Sequence, residues 1–424
     1  MPVPKVFTAS DPGTFKLKAL KWADSFNEVC YFDSNSHSDP YSAFDVFIAA
    51  GAKKKISLTA GNAFGMLDDF LAENEGFIPG YFAYDLKNEL EDLQSSNPDH
   101  LGFPDLYFFI PENTILIKGA EVHIYNTDPD ETWGIINKMH VPEPVAPEPI
   151  KVLSRFTKSE YEQTVSEIQA HIQRGNIYEM NLCQEFYAEG ADIEPVSTFI
   201  RLNKISPTPF SSFLKIDHHY IISATPERFL NRRGEKLISQ PIKGTSARHD
   251  DELQDSAQKE KLQTDEKERA ENVMIVDLVR NDLTKSAKPG TVKVEELFGL
   301  YSFKQVHQLI STVVCERKEG LTNTQIIANT FPMGSMTGAP KISAMILAEA
   351  YERSKRGVYS GAVGYFGPDG DFDFNVVIRT LLYNKRDKYL SFHTGGAITI
   401  DSDPVKEYQE CLLKARAIME VLKQ

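Results

Sequence analysis

The stretch Phe331-Pro-Met-Gly-Ser-Met-Thr-Gly-Ala-Pro-Lys341 is a glycine-punctuated loop that runs directly into the helix-forming segment 342–352. Backbone N–H groups at the start of a helix form an anion site, because they have no partner within the helix. Gly334, Gly338 and Pro340 fit an ordinary tight turn with proline in the first helical turn equally well. No Gly-Lys-Ser/Thr closes the loop, so it is not a nucleotide P-loop.

The composition is that of an acidic globular protein. The chain has 424 residues, enough for two or three average domains or one large interleaved one, and 41% of them are hydrophobic. The formal net charge of -14 argues against nucleic acid or an anionic membrane as the general partner. If the substrate is an anion, basic groups must therefore be concentrated locally.

Targeting and redox signals point to a reduced compartment. The N-terminus lacks a basic region followed by an apolar run, and no stretch is long enough to span a membrane. We therefore expect a cytoplasmic protein without a membrane partner. The four cysteines Cys30, Cys183, Cys315 and Cys411 show no paired metal spacing, which predicts reduced, buried thiols.

A proline- and glutamate-rich segment at residues 141–150 is the predicted linker between two regions. Residues 1–140 alternate short apolar runs with turn signals, which predicts a small α+β region. Residues 151–424 mix strands and helices without the regular βαβ rhythm of a doubly wound sheet. An α+β fold is therefore predicted, with a helix over 161–174 that opens on the capping box at 157–160.

Two pairs of glutamates recur at a spacing of three residues. Glu268 and Glu271 lie in one predicted helix, and Glu407 and Glu410 lie in another near the C-terminus. A helix places residues three apart on one face, and carboxylate oxygens are the ligands that Mg²⁺ prefers. Either pair alone fits a solvated helix face, whereas the two pairs together would form a Mg²⁺ site.

Lys243 directly precedes Gly244, where the missing side chain would let a ligand approach the backbone. A nucleophilic lysine must lose a proton, so its ordinary pKa of about 10.4 would need lowering by burial or by neighbouring cations. A lysine in such a loop also fits a plain surface position. Glu227 and His307 are single titratable residues in apolar surroundings, which fits a structural as well as a catalytic role.

Three residues of the C-terminal third have the chemistry to clamp carboxylates, namely Tyr359, Arg379 and Lys414. Arg379 is the best suited, because its planar fork binds a carboxylate bidentately.

Six segments together resemble the chorismate-utilising enzymes, a family that includes anthranilate, aminodeoxychorismate, isochorismate and salicylate synthases. They are PIKGT (241–245), ENVMIVDLVRNDL (271–283), FPMGSMTGAPK (331–341), GVYSGAVGYFG (357–367), IRT (378–380) and GGAITIDSDPVKEYQECLLKARAI (395–418). The similarity is dense from about residue 160 onward. Gly80, Tyr81 and Asp85 resemble a Gly-Tyr-x-x-Tyr-Asp segment of the family more loosely. The fold implied is a two-subdomain, β-sandwich-like core flanked by helices.

The resemblance implies that chorismate is the substrate and Mg²⁺ the cofactor. Glu271 and Glu410 would reach the metal, with Glu268 and Glu407 close behind, and the metal would hold the ring carboxylate.

The remaining implied contacts place the rest of the substrate. Arg379 and Tyr359 match positions that bind the enolpyruvyl carboxylate. The backbone of Gly395 and Gly396 and the ammonium of Lys414 would complete the ring-carboxylate cradle. Thr245 and His307 match positions near the C4 hydroxyl, and Ser335 comes from the opening loop, whose implied role is closure of the active site.

Lys243 resembles the aminodeoxychorismate synthase component I branch, because anthranilate synthases usually have alanine there. In that branch the lysine attacks C2 while an acid, here Glu227, protonates the departing C4 hydroxyl. Ammonia then enters at C4 and gives 4-amino-4-deoxychorismate, a precursor of p-aminobenzoate and folate. Anthranilate synthase component I is the alternative. Relatives that activate water use a lysine in the segment matching 177–182, where this chain has Glu179, and an inert chorismate-binding relative is the alternative outside the enzymes.

The resemblance also implies a separate glutamine amidotransferase subunit as the source of ammonia. No cysteine stands in the glycine-flanked strained turn that exposes a nucleophile, so the chain itself has no glutamine-hydrolysing site. The N-terminal region of related chains contributes to amidotransferase or tryptophan binding. The bulky Tyr31 and Phe32 in segment 30–34 argue against a tryptophan pocket here.

Overall fold

The computed structural model describes residues 3–145, 148–304 and 306–423. Within these ranges the chain forms twenty strands: β1 (Lys5–Thr8), β2 (Glu28–Asp33), β3 (Val46–Leu58), β4 (Ile78–Phe82), β5 (Leu106–Lys118), β6 (Glu121–Tyr125), β7 (Leu153–Ser154), β8 (Glu179–Ala188), β9 (Phe210–Ile216), β10 (His219–Thr225), β11 (Arg228–Arg233), β12 (Lys236–Gln240), β13 (Ile242–Ala247), β14 (Lys293–Ser302), β15 (Val306–Glu316), β16 (Gly338–Ala339), β17 (Ala362–Phe366), β18 (Phe372–Val376), β19 (Thr380–Asn384) and β20 (Tyr389–Ile398).

Eleven α-helices accompany these strands in the same described ranges: α1 (Pro12–Ala23), α2 (Ala63–Glu73), α3 (Lys87–Leu90), α4 (Pro129–Lys138), α5 (Lys158–Gln173), α6 (Pro195–Ile205), α7 (Glu252–Thr264), α8 (Glu266–Thr284), α9 (Asn323–Thr330), α10 (Lys341–Tyr351) and α11 (Pro404–Leu422). Two 3₁₀ helices, Tyr84–Leu86 and Gly334–Met336, complete the description. No helix of the described chain is long and apolar enough to cross a membrane.

The strands pair throughout in antiparallel fashion wherever the structure describes a ladder. Antiparallel strands need no helical crossover, which is why the sequence lacks a βαβ rhythm. The α+β prediction is confirmed. The predicted β-sandwich-like core flanked by helices is confirmed as well.

Two long strands, β3 and β5, connect two sheet layers. The first layer runs β1-β6-β5-β3-β2-β9-β10-β19-β20-β8. The second layer starts again from β5 and runs β4-β17-β18-β11-β12-β15, with β13 and β14 also along β15. Because one half of β5 pairs with β6 and the other with β4, the strand belongs to both layers.

Alternating side chains of the first layer supply two separate cores, as the two-residue period of a strand requires. Val29 and Tyr31 of β2 pack in one core with residues of α1, α5, α6 and α11. Cys30, between them, lies in the other core, which joins the first layer to Phe108 and Phe374 of the second. Helices α1, α5, α6 and α11 therefore cover the outer face of the first layer, and its inner face packs on the second layer, in whose core α2, α8 and α9 also pack.

Local sequence signals specify the helices well. Thr157 and Glu160 form the predicted capping box, and α5 follows directly. The helices expected over 342–352 and from residue 266 appear as α10 and α8. The four cysteines are free and buried, as predicted.

Strand pairing crosses the predicted linker at 141–150. β2 pairs with β9, and β4 pairs with β17, so strands of residues 1–140 belong to the same layers as strands of residues 151–424. The division of the chain into two regions stays a prediction from the sequence. Phe32 of the 30–34 segment lines a small cavity of about 50 Å³, and tryptophan binding there also stays a prediction.

Gly80 of β4 faces Gly364 of β17 across this joint. A Cβ on Gly80 would lie 2.0 Å from the carbonyl oxygen of Tyr107, and one on Gly364 would lie 2.0 Å from that of Asp373. Neither contact is possible without moving backbone. The Gly-Tyr segment noted in the sequence is therefore explained by close strand packing.

Replacing Gly80 by alanine should destabilise the protein by about 1–3 kcal/mol, the usual cost of overpacking a core. Gly134 is the matched control, because it lies inside α4 with nothing within 4 Å of an added Cβ. Gly134→Ala should stabilise by about 0.5–1 kcal/mol through helix propensity. Urea unfolding of both variants measures the difference. A Gly80→Ala protein as stable as the wild type would show that the joint is loosely packed.

Candidate active site

A cavity of about 680 Å³ brings most of the predicted site residues together. It is lined by residues from both sheet layers, from α8 and α11, and from the loop before α10. The predicted residues on its wall are Glu227, Lys243, Gly244, Thr245, Glu268, Glu271, Ser335, Tyr359, Arg379, Gly395, Glu407, Glu410 and Lys414.

The two glutamate pairs reach the cavity from the first two turns of α8 and α11. Asp265 caps α8 by accepting bonds from the backbone of residues 267 and 268, and Asp403 caps α11 in the same way. The i, i+3 spacing places each pair on one helix face. Each pair also lies near the positive end of a helix dipole, which favours carboxylates.

The carboxylates repel one another in a partly dehydrated space. Burial, with repulsion from Glu271 and Glu410, raises the pKa of Glu268 to about 7. Burial also raises the pKa of Glu271 and that of Glu407. Lys414 holds the pKa of Glu410 below its usual range. A cation between the pairs would relieve this repulsion.

An ammonium group lies among these carboxylates. Lys267 Nζ is 3.6 Å from Glu271 Oε1 and 4.0 Å from Glu407 Oε1. The described residues contain no group of three or more His, Cys, Asp or Glu side chains arranged to hold a metal ion directly. The two pairs therefore face one cavity without converging on a single point.

Two glycines keep the space around the carboxylates open. A Cβ on Gly396 would lie 3.3 Å from Glu407 Oε2 and 3.6 Å from Glu410 Oε1. A Cβ on Gly244 would lie 3.2 Å from Glu268 Oε2. The donor set consists of carboxylate oxygens, which fits a hard divalent ion such as Mg²⁺. Gly395 is required by strand packing instead, because a Cβ added there would lie 2.0 Å from the backbone carbonyl oxygen of Leu182.

Lys243 is held as an ammonium ion in this state. Its Nζ donates to Glu179 Oε1 at 3.0 Å. Burial favours the neutral amine, but the carboxylates of Glu179 and Glu271 outweigh burial and raise the pKa of Lys243. A nucleophilic lysine needs a lowered pKa, as stated above, so the shift found here is in the opposite direction. The cause is Glu179, which the sequence identified only as a position where some relatives have a lysine.

Glu227 has the environment of an acid. It lies between β10 and β11 and is buried, and burial raises its pKa to about 7 although Ser335 and Lys243 favour the ionised form. At neutral pH a large fraction of this carboxyl group therefore carries a proton that it can donate.

Arg379 is a half-buried cation with no carboxylate within 4.0 Å of its guanidinium among the described residues, although Glu410 lies close enough to act on it electrostatically. Its one side-chain hydrogen bond goes to the carbonyl oxygen of Lys414, at 3.2 Å. Burial lowers its pKa, because the charged guanidinium is dehydrated. Its backbone φ of 51° lies in the left-handed region, which is uncommon for arginine. An anionic ligand would supply the missing counter-charge.

Tyr359 is stacked on a histidine that sequence analysis did not identify. Its ring lies 4.9 Å from that of His393, which also lines the cavity. Burial lowers the pKa of His393 to about 4, so the imidazole is neutral. The hydroxyl of Tyr359 lies 3.4 Å from Cys183 Sγ. Nothing in the sequence around His393 signals this position, because strand residues reveal their neighbours only through the register.

His307 does not line the cavity. It is fully buried, with Nε2 2.8 Å from Asp255 Oδ1 and Nδ1 2.8 Å from Ser302 Oγ. Gln308, one position along β15, pairs with Thr245, and both line the cavity. Because strand side chains alternate, His307 faces the other side. The expected placement of His307 beside the substrate is therefore not found.

The loop at 331–341 forms a wall of the cavity. A Cβ on Gly334 would lie 2.6 Å from Leu278 Cδ2, and one on Gly338 would lie 2.2 Å from the carbonyl oxygen of Glu179. These glycines are explained by packing, and Ser335 between them faces the cavity. Lys341 at the start of α10 binds Asp282 instead of facing the cavity. The structure therefore favours a closing wall over an anion site.

The comparisons with known proteins agree on one family. The sequence profile described as chorismate binding enzyme matches residues 27–420. The aminodeoxychorismate synthase component 1 of Salmonella typhimurium is 34% identical over 357 residues, covering 82% of this chain and 77% of that protein. The anthranilate synthase component 1 of Thermus thermophilus is 33% identical over 360 residues, with the same shares of 82% and 77%.

Solved structures show the same fold. Anthranilate synthase component I from Streptococcus pneumoniae superposes with a TM-score of 0.78 at 25% identity, covering 90% of this chain and 93% of that one. The menaquinone-specific isochorismate synthase from Escherichia coli superposes with a TM-score of 0.77 at 16% identity, covering 100% and 96%.

The buried acid Glu227 makes a prediction about stability and pH. Its pKa is about 7 in the folded chain and 4.5 ordinarily, so between these values the folded state holds a proton that the unfolded state has released. This group should lower the free energy of unfolding by about 3 kcal/mol as the pH rises through that window. Glu227→Gln should lack this decline, as measured by urea unfolding at several pH values. Parallel curves for the two proteins would contradict it.

Proposed function

The chain belongs to the chorismate-binding enzyme family, and we propose that it aminates chorismate at C4 to form 4-amino-4-deoxychorismate. The observation that carries this proposal is the ammonium of Lys243 in the same cavity as Glu227 and both glutamate pairs. A lysine at this position supplies a nucleophile that direct attack by ammonia at C2 would not need.

The cavity offers a place for each end of a dicarboxylate. Arg379 and Tyr359 bind the enolpyruvyl carboxylate, which gives the unpaired guanidinium its counter-charge. The ring carboxylate lies toward Lys414 and the backbone of Gly395 and Gly396. Glu271 and Glu410 would hold Mg²⁺ there, with Glu268 and Glu407 beside them, and the metal would supply Lewis-acid stabilisation of the ring carboxylate.

The reaction uses two displacements. The neutral amine of Lys243 forms a bond to C2 while Glu227 donates its proton to the C4 oxygen, which leaves as water. The electrons of both ring double bonds shift from C2 toward C4, where the C4–O bond breaks. Ammonia then attacks C4 and the electrons return to expel the lysine nitrogen. The enolpyruvyl group stays on the product, so release of pyruvate to form p-aminobenzoate, on the way to folate, belongs to a separate lyase.

Anthranilate synthesis is the competing function, because relatives of both names are equally similar to this chain. Direct amination at C2 with loss of pyruvate leaves no role for Lys243. The water-using members of the family resemble this chain in fold, but Glu179 stands where they have a lysine.

Ammonia comes from a separate glutamine amidotransferase in this proposal. All four cysteines of the chain are buried, and burial raises the pKa of each, so none is an activated thiolate. Relatives carry the name component 1, which supports a second component.

Product analysis of the wild type and of Lys243→Ala tests the reaction. With chorismate, Mg²⁺ and ammonium, the wild type should give a product that retains the enolpyruvyl group by mass, and glutamine should not replace ammonium. Lys243→Ala should lose aminodeoxychorismate formation by about 100-fold or more. Lys304→Ala is the matched control, because it removes a lysine from the cavity rim. Anthranilate from the wild type, or full activity of Lys243→Ala, would contradict the proposal.

Metal titration tests the two glutamate pairs. Glu410→Gln should raise the Mg²⁺ concentration needed for half-maximal activity by about 10-fold or more, since one charged ligand is lost. Lys267→Gln should lower it, because the ammonium no longer competes for the carboxylates. Calorimetric titration of each protein with Mg²⁺ measures the affinities without turnover. Equal affinities in all three proteins would mean that the metal does not bind between these helices.

A further inference from the structure

The buried ion pair of Lys243 and Glu179 is not used by the displacements described above. The two side chains are 12% and 1% exposed, and their charged atoms lie 3.0 Å apart. A protonated lysine has no free electron pair, so the proton on Lys243 must leave before the nitrogen attacks carbon. The pair is therefore either an obstacle to the reaction or the route by which the proton leaves.

Glu179 is the only described carboxylate within 4.0 Å of the Lys243 ammonium. The other acids that face this ammonium are Glu271, Glu410 and Glu227. The first two belong to the helices that hold the metal, and the third donates a proton to the leaving group. Each of these three has another task in the reaction, whereas Glu179 has none.

The position of Glu179 is fixed by strand packing. It begins β8, and Asn181 and Cys183, two and four residues further on the same face, both line the cavity. β16 pairs with β8 at this point, and Gly338 lies so close that a Cβ would be 2.2 Å from the carbonyl oxygen of Glu179. The carboxylate therefore reaches Lys243 from a rigid strand.

The second oxygen of Glu179 has no partner. Oε2 is buried and accepts no hydrogen bond from the described residues. Buried carboxylate oxygens are normally hydrogen-bonded, and a carboxylate kept only to neutralise a lysine would be expected to satisfy both oxygens. The half-satisfied carboxylate is instead ready to take up a proton.

We propose that Glu179 is the immediate proton acceptor for Lys243. This inference rests on the proposed function, in which Lys243 is the nucleophile. An N–H bond of Lys243 breaks, its electron pair stays on nitrogen, and the proton bonds to a Glu179 oxygen. The transfer turns a buried ion pair into a neutral pair, so it leaves no isolated buried charge. The freed electron pair then forms the bond to C2.

The cycle closes on the same residues. When ammonia expels the lysine nitrogen from C2, Lys243 leaves as an amine and regains its proton from Glu179. Glu227, which gave its proton to the departing water, regains one from the ammonium group formed at C4. Chorismate and ammonia become aminodeoxychorismate and water, with no net change at the three side chains.

Glu179→Gln separates a proton acceptor from a simple counter-ion, because the amide oxygen still accepts a hydrogen bond but takes no proton. If Glu179 is the acceptor, kcat with ammonium at about neutral pH should fall by about 100-fold or more in this variant. The KM for chorismate should stay within about threefold of the wild-type value. The ratio of wild-type to variant kcat should shrink as the pH rises, because solvent then removes the proton. Ammonia supply and Glu227 ionisation affect both proteins alike. For a counter-ion, removing the negative charge would leave kcat unchanged or raise it, which would overturn the proposal.

Chemical labelling gives a readout independent of turnover. The pH dependence of Lys243 modification by an amine-reactive reagent, followed by mass spectrometry, should shift to lower pH in Glu179→Gln, since the nearby negative charge is gone. An unchanged labelling curve would show that the pair does not exist in solution. Glu185→Gln is the matched control, because Glu185 is a buried carboxylate of β8 paired with Arg155. Glu185→Gln should leave the labelling curve of Lys243 unchanged. The ratio of wild-type kcat to Glu185→Gln kcat should not vary with pH.

One further variant, Glu179→Asp, completes the test. Glu179→Asp keeps an acceptor at a greater distance and should lose less activity than Glu179→Gln, with a pH dependence like that of the wild type. This variant also decides the question if the glutamine protein does not fold, because a folded Asp protein with unchanged kcat would show that the distance to the acceptor does not matter and would overturn the proposal. Full activity of Lys243→Ala refutes the proposed function itself. An inactive Lys243→Ala with a fully active Glu179→Gln refutes only the role of Glu179.

Discussion

The sharing of β3 and β5 between two antiparallel layers is the constraint on which the rest of the structure depends. Because one half of β5 pairs with β6 and the other with β4, the second layer is fixed at one edge to the first. The inner faces then pack on each other, while α1, α5, α6 and α11 cover the outer face of the first layer and α2, α8 and α9 pack in the core of the second. The cavity forms where residues of both layers meet α8 and α11, so its chemistry comes from segments far apart in the chain.

Charge balance controls the chemistry inside that cavity. Acidic side chains from α8 and α11 are neutralised by lysines of the cavity itself, as Glu410 is by Lys414. Ammonium groups therefore lie among the carboxylates in which we propose the metal binds. Arg379 is the exception, because this half-buried guanidinium has no carboxylate at salt-bridge distance among the described residues and is open to an anion. In the proposed function, binding of a dicarboxylate and a divalent ion would thus exchange internal ion pairs for external ones.

Local signals in the sequence predicted much of the fold. The capping box at Thr157 and Glu160, the i, i+3 glutamate pairs and the apolar runs of the strands depend on neighbouring residues, so each could be read directly. Motif similarity identified the family and most of the cavity wall. The structure places His307 away from the cavity wall for a physical reason. A one-residue step along β15 moves a side chain to the opposite face, and no local pattern reveals which face borders the cavity.

The sequence by itself determined the fold class, the acidic character and the residue types needed to bind a dianionic substrate, because these follow from composition, local periodicity and motif. The tertiary structure decided which of these residues interact. Only the register of β8 against β16 and β20 brings Glu179 to Lys243, and only the approach of β15 to α7 pairs His307 with Asp255. Protonation states follow from these long-range contacts, since burial and neighbouring charges set them. A residue's identity therefore fixes what chemistry it can do, and its tertiary neighbours fix whether it does so.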